Sequence, residues 1–209
     1  MGLLLGGLLV VVDRLTTSWF TPVLAAALTV TAWKALTGGL HLDGLADCLD
    51  GLAGGDPDRR LAIMRDSRIG TYGVTGLILL LMVVVFALGA IEGPARWRGL
   101  LVAPVLGRAM PPLLARLFPS VASGRSAEFR AELGKAAPVV AIALAALVTI
   151  AVLGLAGVLA LTAGIGLTIL LGAFMVRRLG GVSGDVHGAA VECTELAVLL
   201  TVAAAHPVR

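Results

Sequence analysis

The sequence predicts an all-α, polytopic membrane protein with about six to seven transmembrane helices. Three observations carry that prediction. The chain is 58% hydrophobic and 14% charged, with a mean hydropathy of +1.00, whereas soluble domains carry roughly 25% charged residues. Its apolar residues fall in long runs of helical length. Its lysines and arginines lie mainly in the segments between those runs, as expected where a membrane protein meets anionic headgroups. At 209 residues, 1–209 reads as a single membrane-embedded domain. The net charge of +3 is small, and no nucleic-acid signature is present.

The elements follow in order. Residues 3–12 are apolar but short for a span, which needs about 20 residues. No basic leader or small-residue cleavage site marks them as a signal peptide. Asp13, Arg14 and Thr16 to Ser18 read as a loop. Residues 22–36 are apolar again, and Lys34 is expected to snorkel to the interface. Residues 38–73 are polar, broken at Gly54-Gly55-Asp56-Pro57, with Asp58 expected to cap a short helix. Residues 74–91 form an uncharged span. Residues 92–98 read as a loop. Residues 99–118 form a span holding Arg108 and Arg116, with a kink at Pro111-Pro112. A polar connector covers 119–137. Residues 138–176 suffice for two spans with a turn near Gly154 to Gly157. A glycine-rich polar segment, 177–187, leads to a last helix over 188–206. Cys48 and Cys193 have no metal-ligand or disulfide spacing and read as packing residues.

The chemistry concentrates in GGLHLDGLADCLDGLAGGDPDRRLAIMRDSRIGTYG. Asp43, Asp47 and Asp50 are spaced four and then three apart, which places them within a sector of roughly 60° on one side of a helix. Three neighbouring carboxylates repel one another unless a positive charge sits among them, and a divalent cation is the usual answer. Arg59, Arg60, Arg65 and Arg68 follow, and guanidinium groups grip phosphate oxygens in bidentate fashion. Metal-held acids beside arginines suit transfer of a phosphoryl-linked group. The competing reading of these arginines is a solvated charged loop. His41 points to another helix side, with a catalytic and a structural role equally open.

Suppose the aspartate stretch faces the cytoplasm and the spans alternate. Nine Lys/Arg then lie inside, four outside and three within spans, which obeys the positive-inside rule. The same alternation puts Asp185 on the face that carries Asp43. Arg108, Glu192 and Glu195 fall within spans, where ionisable groups default to function. The alternative for the glutamates is an ion pair with Arg108 or Arg116 that only holds helices together.

The aspartate stretch, together with Gly107-Arg108 and GGVSGDVHGAAVECTEL, resembles the signature of the cobalamin synthase family, the adenosylcobinamide-GDP ribazoletransferases. The similarity covers nearly the whole chain in order. It implies a multi-pass enzyme of the cell (inner) membrane with a cytoplasmic active face, working late in cobalamin biosynthesis. The implied reaction joins α-ribazole, or its 5′-phosphate, to adenosylcobinamide-GDP, releasing GMP and forming adenosylcobalamin or its 5′-phosphate. The implied cofactor is Mg2+. Carried onto matching positions, the metal set is Asp43, Asp47, Asp50, Asp66 and Asp185. Asp47 and Asp50 are the candidate bases, with His41 a further catalytic candidate, and Arg60, Arg65, Ser67, Arg68, Arg108 and Glu192 are the candidate substrate-binding residues. The lipid bilayer is the surrounding partner. A homo-oligomer and association with other cobalamin-pathway enzymes both stay open. Members of that family usually begin with a further opening segment, whereas here the resemblance starts inside the first apolar run.

Two rivals remain at this level. A CDP-alcohol phosphotransferase also uses an aspartate-rich membrane helix, but its signature requires arginine where Asp47 stands. A cation-coupled transporter would use intramembrane acids, but the acids here cluster toward one face and no internal repeat is present.

Overall fold

The structure is a computed structural model and describes residues 1–121 and 125–206. Among these, ten helices and no strand are found: α1 Gly2–Thr17, α2 Pro22–Leu36, α3 Leu40–Gly51, α4 Pro57–Met64, α5 Thr71–Ala90, α6 Gly93–Leu117, α7 Arg125–Glu132, α8 Ala137–Leu153, α9 Leu155–Leu179 and α10 Gly184–Ala205. Four of them, α5, α6, α9 and α10, are long and apolar enough to cross a membrane. The number rises to six if the bent pairs α2–α3 and α7–α8 each count as one span, so the protein is an all-α polytopic membrane protein.

The centre of the bundle is α6 against α10. Around them pack α1 and α8 on α6, α9 and α3 on α10, and α2 and α5 beside α1 and α3. Small residues make this close approach possible, because apolar side chains alone gain little from leaving lipid. Leu100, Leu106, Met110 and Leu114 of α6 and Val198, Leu199 and Val202 of α10 are fully buried in the core these helices share with their neighbours. The outward faces of α5, α8 and α9 expose large aliphatic side chains, as a lipid-facing surface requires.

The path of α3 decides where the chemistry sits. α2 and α3 meet at 90°, and the turn between them passes through Gly38 and Gly39 at φ +64° and +68°, a region that L side chains avoid. The turn lays α3 along the first turn of α10. There a Cβ on Gly44 would stand 2.8 Å from the carbonyl oxygen of Asp185, and one on Gly188 would stand 3.2 Å from Cα of His41. The missing side chains let the two backbones touch.

Several local expectations are corrected. The loop expected at Asp13 to Ser18 is helix through Thr17, and the loop expected at 92–98 is helix from Gly93. One interaction explains both. Arg96 Nη2 lies 2.8 Å from Asp13 Oδ1, Thr29 donates to the same oxygen at 3.3 Å, and Arg96 Nη1 donates to the Leu88 carbonyl at 2.9 Å. Charges that read as loop markers are buried and mutually satisfied. Lys34 does not snorkel outward but turns inward to Glu192, at 2.6 Å, and Glu195, at 3.2 Å. The helix after Gly54-Gly55 is capped by Asp56, whose carboxylate accepts from the Arg59 amide at 2.9 Å, and Asp58 sits in its first turn. α6 continues through Pro104, Pro111 and Pro112 to Leu117. α10 begins four residues earlier than expected, at Gly184, with the Ser183 hydroxyl accepting from the Val186 amide at 3.4 Å. The polar connector contains α7. The turn expected near Gly154 is present.

Candidate active site

A cavity of about 600 Å³ opens where these elements converge. α3 contributes His41, Asp43, Gly44 and Asp47 to its lining, α4 contributes Leu61 and Met64 with Arg65 just beyond, and the start of α10 contributes Ser183, Asp185, His187 and Gly188. Pro111 of α6, Val121, and Ser126 and Phe129 of α7 complete it. The α7 side is held by a short clasp. The Val121 amide donates to the Val182 carbonyl at 3.1 Å, and the Val182 amide donates to the Pro119 carbonyl at 2.8 Å.

Two acidic motifs, remote in sequence, therefore share one cavity. Asp47 feels the negative charge of Asp43 and Asp185 as well as that of Asp50. Neither Asp43 nor Asp47 makes an ion pair among the described residues. The Ser183 hydroxyl donates to Asp185 Oδ2 at 3.1 Å. An excess of carboxylate with few cations is unfavourable in isolation and favours a cationic ligand. Arg65 is exposed at the rim of the same cavity.

The other sequence candidates have different neighbourhoods. Asp50 is buried, and its carboxylate accepts from the Gly70 amide at 2.7 Å and from the Gly73 amide at 2.8 Å. It thereby caps the start of α5, where amides lack helical partners and the helix dipole favours an anion. It does not line the cavity. Arg60 is buried and donates to the Arg178 carbonyl at 3.3 Å, tying α4 to the end of α9. Asp66 and Arg68 pair with each other at 2.6 Å on the surface. The Arg68 side-chain and backbone donors hold the Asp66 carboxyl down at about 2. Ser67 is exposed between them. Arg108 contacts Glu195, and Glu192 and Glu195 contact Lys34, in a quartet whose glutamates are buried and whose cations are partly buried. Ion pairs are present at both glutamates, with Lys34 as a partner that spacing could not reveal. Glu195, Arg108 and Lys34 of this quartet act electrostatically on His41.

Among the lining residues, Ser183, His187 and Phe129 were not candidates from sequence. His187 stands two residues past Asp185, so its neighbourhood was already marked. Phe129 lies in a connector whose sequence gives no signal.

As the chain stands, no three His, Cys, Asp or Glu side chains among the described residues are grouped to hold a metal ion by themselves. Magnesium usually takes only one or two protein carboxylates and fills its other positions with water and substrate phosphate oxygens. The hard oxygen donors Asp43, Asp47 and Asp185 around one open cavity fit that mode rather than a closed protein cage.

Comparison with known proteins gives a concordant result. The chain is 41% identical over 184 residues to the adenosylcobinamide-GDP ribazoletransferase of Pseudomonas paraeruginosa, covering 87% of this chain and 75% of that one. It is 41% identical over 207 residues to the protein of that name from Stutzerimonas stutzeri, covering 97% and 83%. It is 44% identical over 185 residues to the one from Pseudomonas syringae pv. syringae, covering 86% and 75%. No solved structure matches. The sequence model of one family, cobalamin-5-phosphate synthase, matches residues 1–203. With its acidic motifs brought together on a polytopic helical frame, the chain belongs to the cobalamin-5-phosphate synthase family.

Proposed function

We propose that this protein is an adenosylcobinamide-GDP ribazoletransferase, joining α-ribazole or its 5′-phosphate to adenosylcobinamide-GDP with release of GMP. Its relatives' names and its family membership support the reaction class. The observation that carries it onto this chain is the cavity shared by Asp43, Asp47, Asp185 and Arg65.

A ribazole hydroxyl oxygen attacks the phosphorus bonded to the cobinamide side. The new O–P bond forms as the P–O bond to GMP breaks, and the electron pair leaves with GMP. A carboxylate oxygen of Asp47 takes the hydroxyl proton, a role suited to an acid in the neighbourhood of other acids. The Arg65 guanidinium holds phosphate oxygens and stabilises charge on the departing nucleotide. Asp43 and Asp185 would hold Mg2+, which would supply charge neutralisation for the pyrophosphate when bound. Leu61 and Met64 keep part of the cavity apolar and limit water around the reacting phosphorus. The cavity's face of the protein is proposed to be cytoplasmic, on the inner membrane, where the basic segments are expected to lie.

The test is turnover in lipid, with adenosylcobinamide-GDP and α-ribazole, following GMP and the cobalamin product by mass. The expected result is stoichiometric appearance of both, suppressed by EDTA and restored by magnesium. Folded protein that releases no GMP overturns the assignment. Turnover insensitive to EDTA removes the metal from it.

A further inference from the structure

We infer that Phe129 and His187 form the receptor for the aromatic base of the incoming ribazole, with Phe129 as the stacking surface and His187 as the single hydrogen-bond partner. The inference rests on the proposed ribazoletransferase activity and specifies one end of its site.

Two independent observations point to a ligand here. The first is an orphaned polar atom. His187 is 9% exposed, and its Nε2 is buried without a hydrogen-bond partner at the cavity wall. Buried polar atoms are normally satisfied, because desolvation is costly when no bond replaces water. Among the buried unpartnered side-chain atoms found in the described residues, only those of His187 and His41 belong to the cavity lining. His41 is on the α3 wall with the acids. His187 stands against Phe129.

The second observation is that aromatic contact. The Phe129 and His187 ring centroids are 5.7 Å apart with their planes at 71°. In an edge-to-face pair the histidine occupies at most one face of Phe129. Phe129 is 37% exposed although it lines a cavity. A large apolar ring partly exposed at a cavity wall is a platform for a flat heterocycle.

The chemistry around the pair selects which heterocycle. Leu61, Met64, Pro111 and Val121 share the lining with them. The base of α-ribazole is a benzimidazole whose only free polar atom is one ring nitrogen, an acceptor. A neutral imidazole with its hydrogen on Nε2 satisfies that acceptor with one bond. Guanine would bring several donors and acceptors to the same wall and leave most of them unpaired.

The experiment is a substrate-by-variant comparison in lipid. It uses α-ribazole and the corresponding dimethylindole riboside, in which carbon replaces the free ring nitrogen. Phe129→Ala is expected to raise KM for both nucleosides about tenfold. Phe129→Trp should restore it. KM for adenosylcobinamide-GDP and the melting midpoint should stay unchanged in both variants. The wild type should discriminate against the indole analogue about tenfold, and His187→Ala should lose that discrimination. The inference is overturned if Phe129→Ala instead raises KM for adenosylcobinamide-GDP, which would assign the platform to guanine or corrinoid. It is equally overturned if His187→Ala still discriminates, or if both variants merely melt earlier. Should the wild type release no GMP, the activity reading fails, and equilibrium titration with α-ribazole decides this one separately. Binding weakened about tenfold by Phe129→Ala sustains the receptor, and absence of binding removes it.

Discussion

Two sets of acidic residues in this protein meet opposite fates. In one set, Glu192 and Glu195 face Lys34 and Arg108, and at another junction Asp13 faces Arg96. Each buried acid there has a guanidinium or ammonium group against it. At the cavity, Asp43 and Asp47 make no ion pair among the described residues, with Arg65 at the rim. Burying an ion is tolerated where a partner and hydrogen bonds compensate it. Carboxylates gathered with too few cations indicate a site that waits for one. The comparison teaches that an acidic residue in a membrane helix cannot be read from its position in the sequence alone. What matters is whether the fold has already supplied its counter-charge.

The sharpest way to break this contrast is to remove one acid from each set. Asp47→Asn should lower turnover by about 10²–10⁴-fold, the usual contribution of a positioned base, while the unfolding midpoint in detergent stays where it was. Glu195→Ala should do the reverse in emphasis. It strips Arg108 of its carboxylate and leaves Lys34 with Glu192 alone, and breaking a buried pair costs about 3–5 kcal/mol. An early-melting Asp47→Asn, or a fully stable Glu195→Ala, would dissolve the distinction.

A smaller effect is expected at Asp56, a third kind of acid that serves only backbone. Asp56→Ala removes the α4 cap and should lower stability by about 1 kcal/mol, read as a shift in unfolding midpoint. Arg65 follows α4 directly, so a modest loss of turnover should accompany the loss of the cap.

The smallest effect belongs to Asp66 and Arg68. Arg68 draws the Asp66 carboxyl from 3.8 to about 2. Because the folded value is depressed, any stabilisation from the pair is present above 3.8 and lost as pH falls toward 2. The Arg68 side chain is 86% exposed, so salt screens the pair and its effect on melting should be undetectable. Arg68→Ala should still return Asp66 toward its ordinary value, measurable by NMR titration. If Arg68→Ala also abolishes turnover, the arginine leaves Asp66 for substrate phosphate and belongs with the cavity.

The sequence by itself determined the class of this protein. Long apolar runs can satisfy their backbone in a bilayer only as helices, so span after span was legible from composition and length. It also determined that Asp43 and Asp47 share a helix face, because the 3.6-residue period is local. The identity of the motif fragments around them carried the family. Partner choice was not legible. The spacing of Asp43, Asp47 and Asp50 is that of one cluster, yet Asp50 is consumed by the Gly70 and Gly73 amides. That outcome depends on where α5 begins relative to α3. Lys34, near the end of an apolar run, has the pattern of a snorkelling residue. It turns inward because Glu192 and Glu195, more than 150 positions away, reach its ammonium group.

Only the tertiary structure could decide the composition of the cavity. Asp185 joins Asp43 and Asp47 because Gly44 and Gly188 let α3 and the first turn of α10 meet backbone to backbone. Phe129 joins them because the clasp of Val121 with Val182 and the contact of Arg130 with the Phe118 carbonyl hold α7 over that junction. Hydropathy and helical period act over a few turns and are written along the chain. Counter-charge, close approach and enclosure act between helices, and they exist only once the chain has packed.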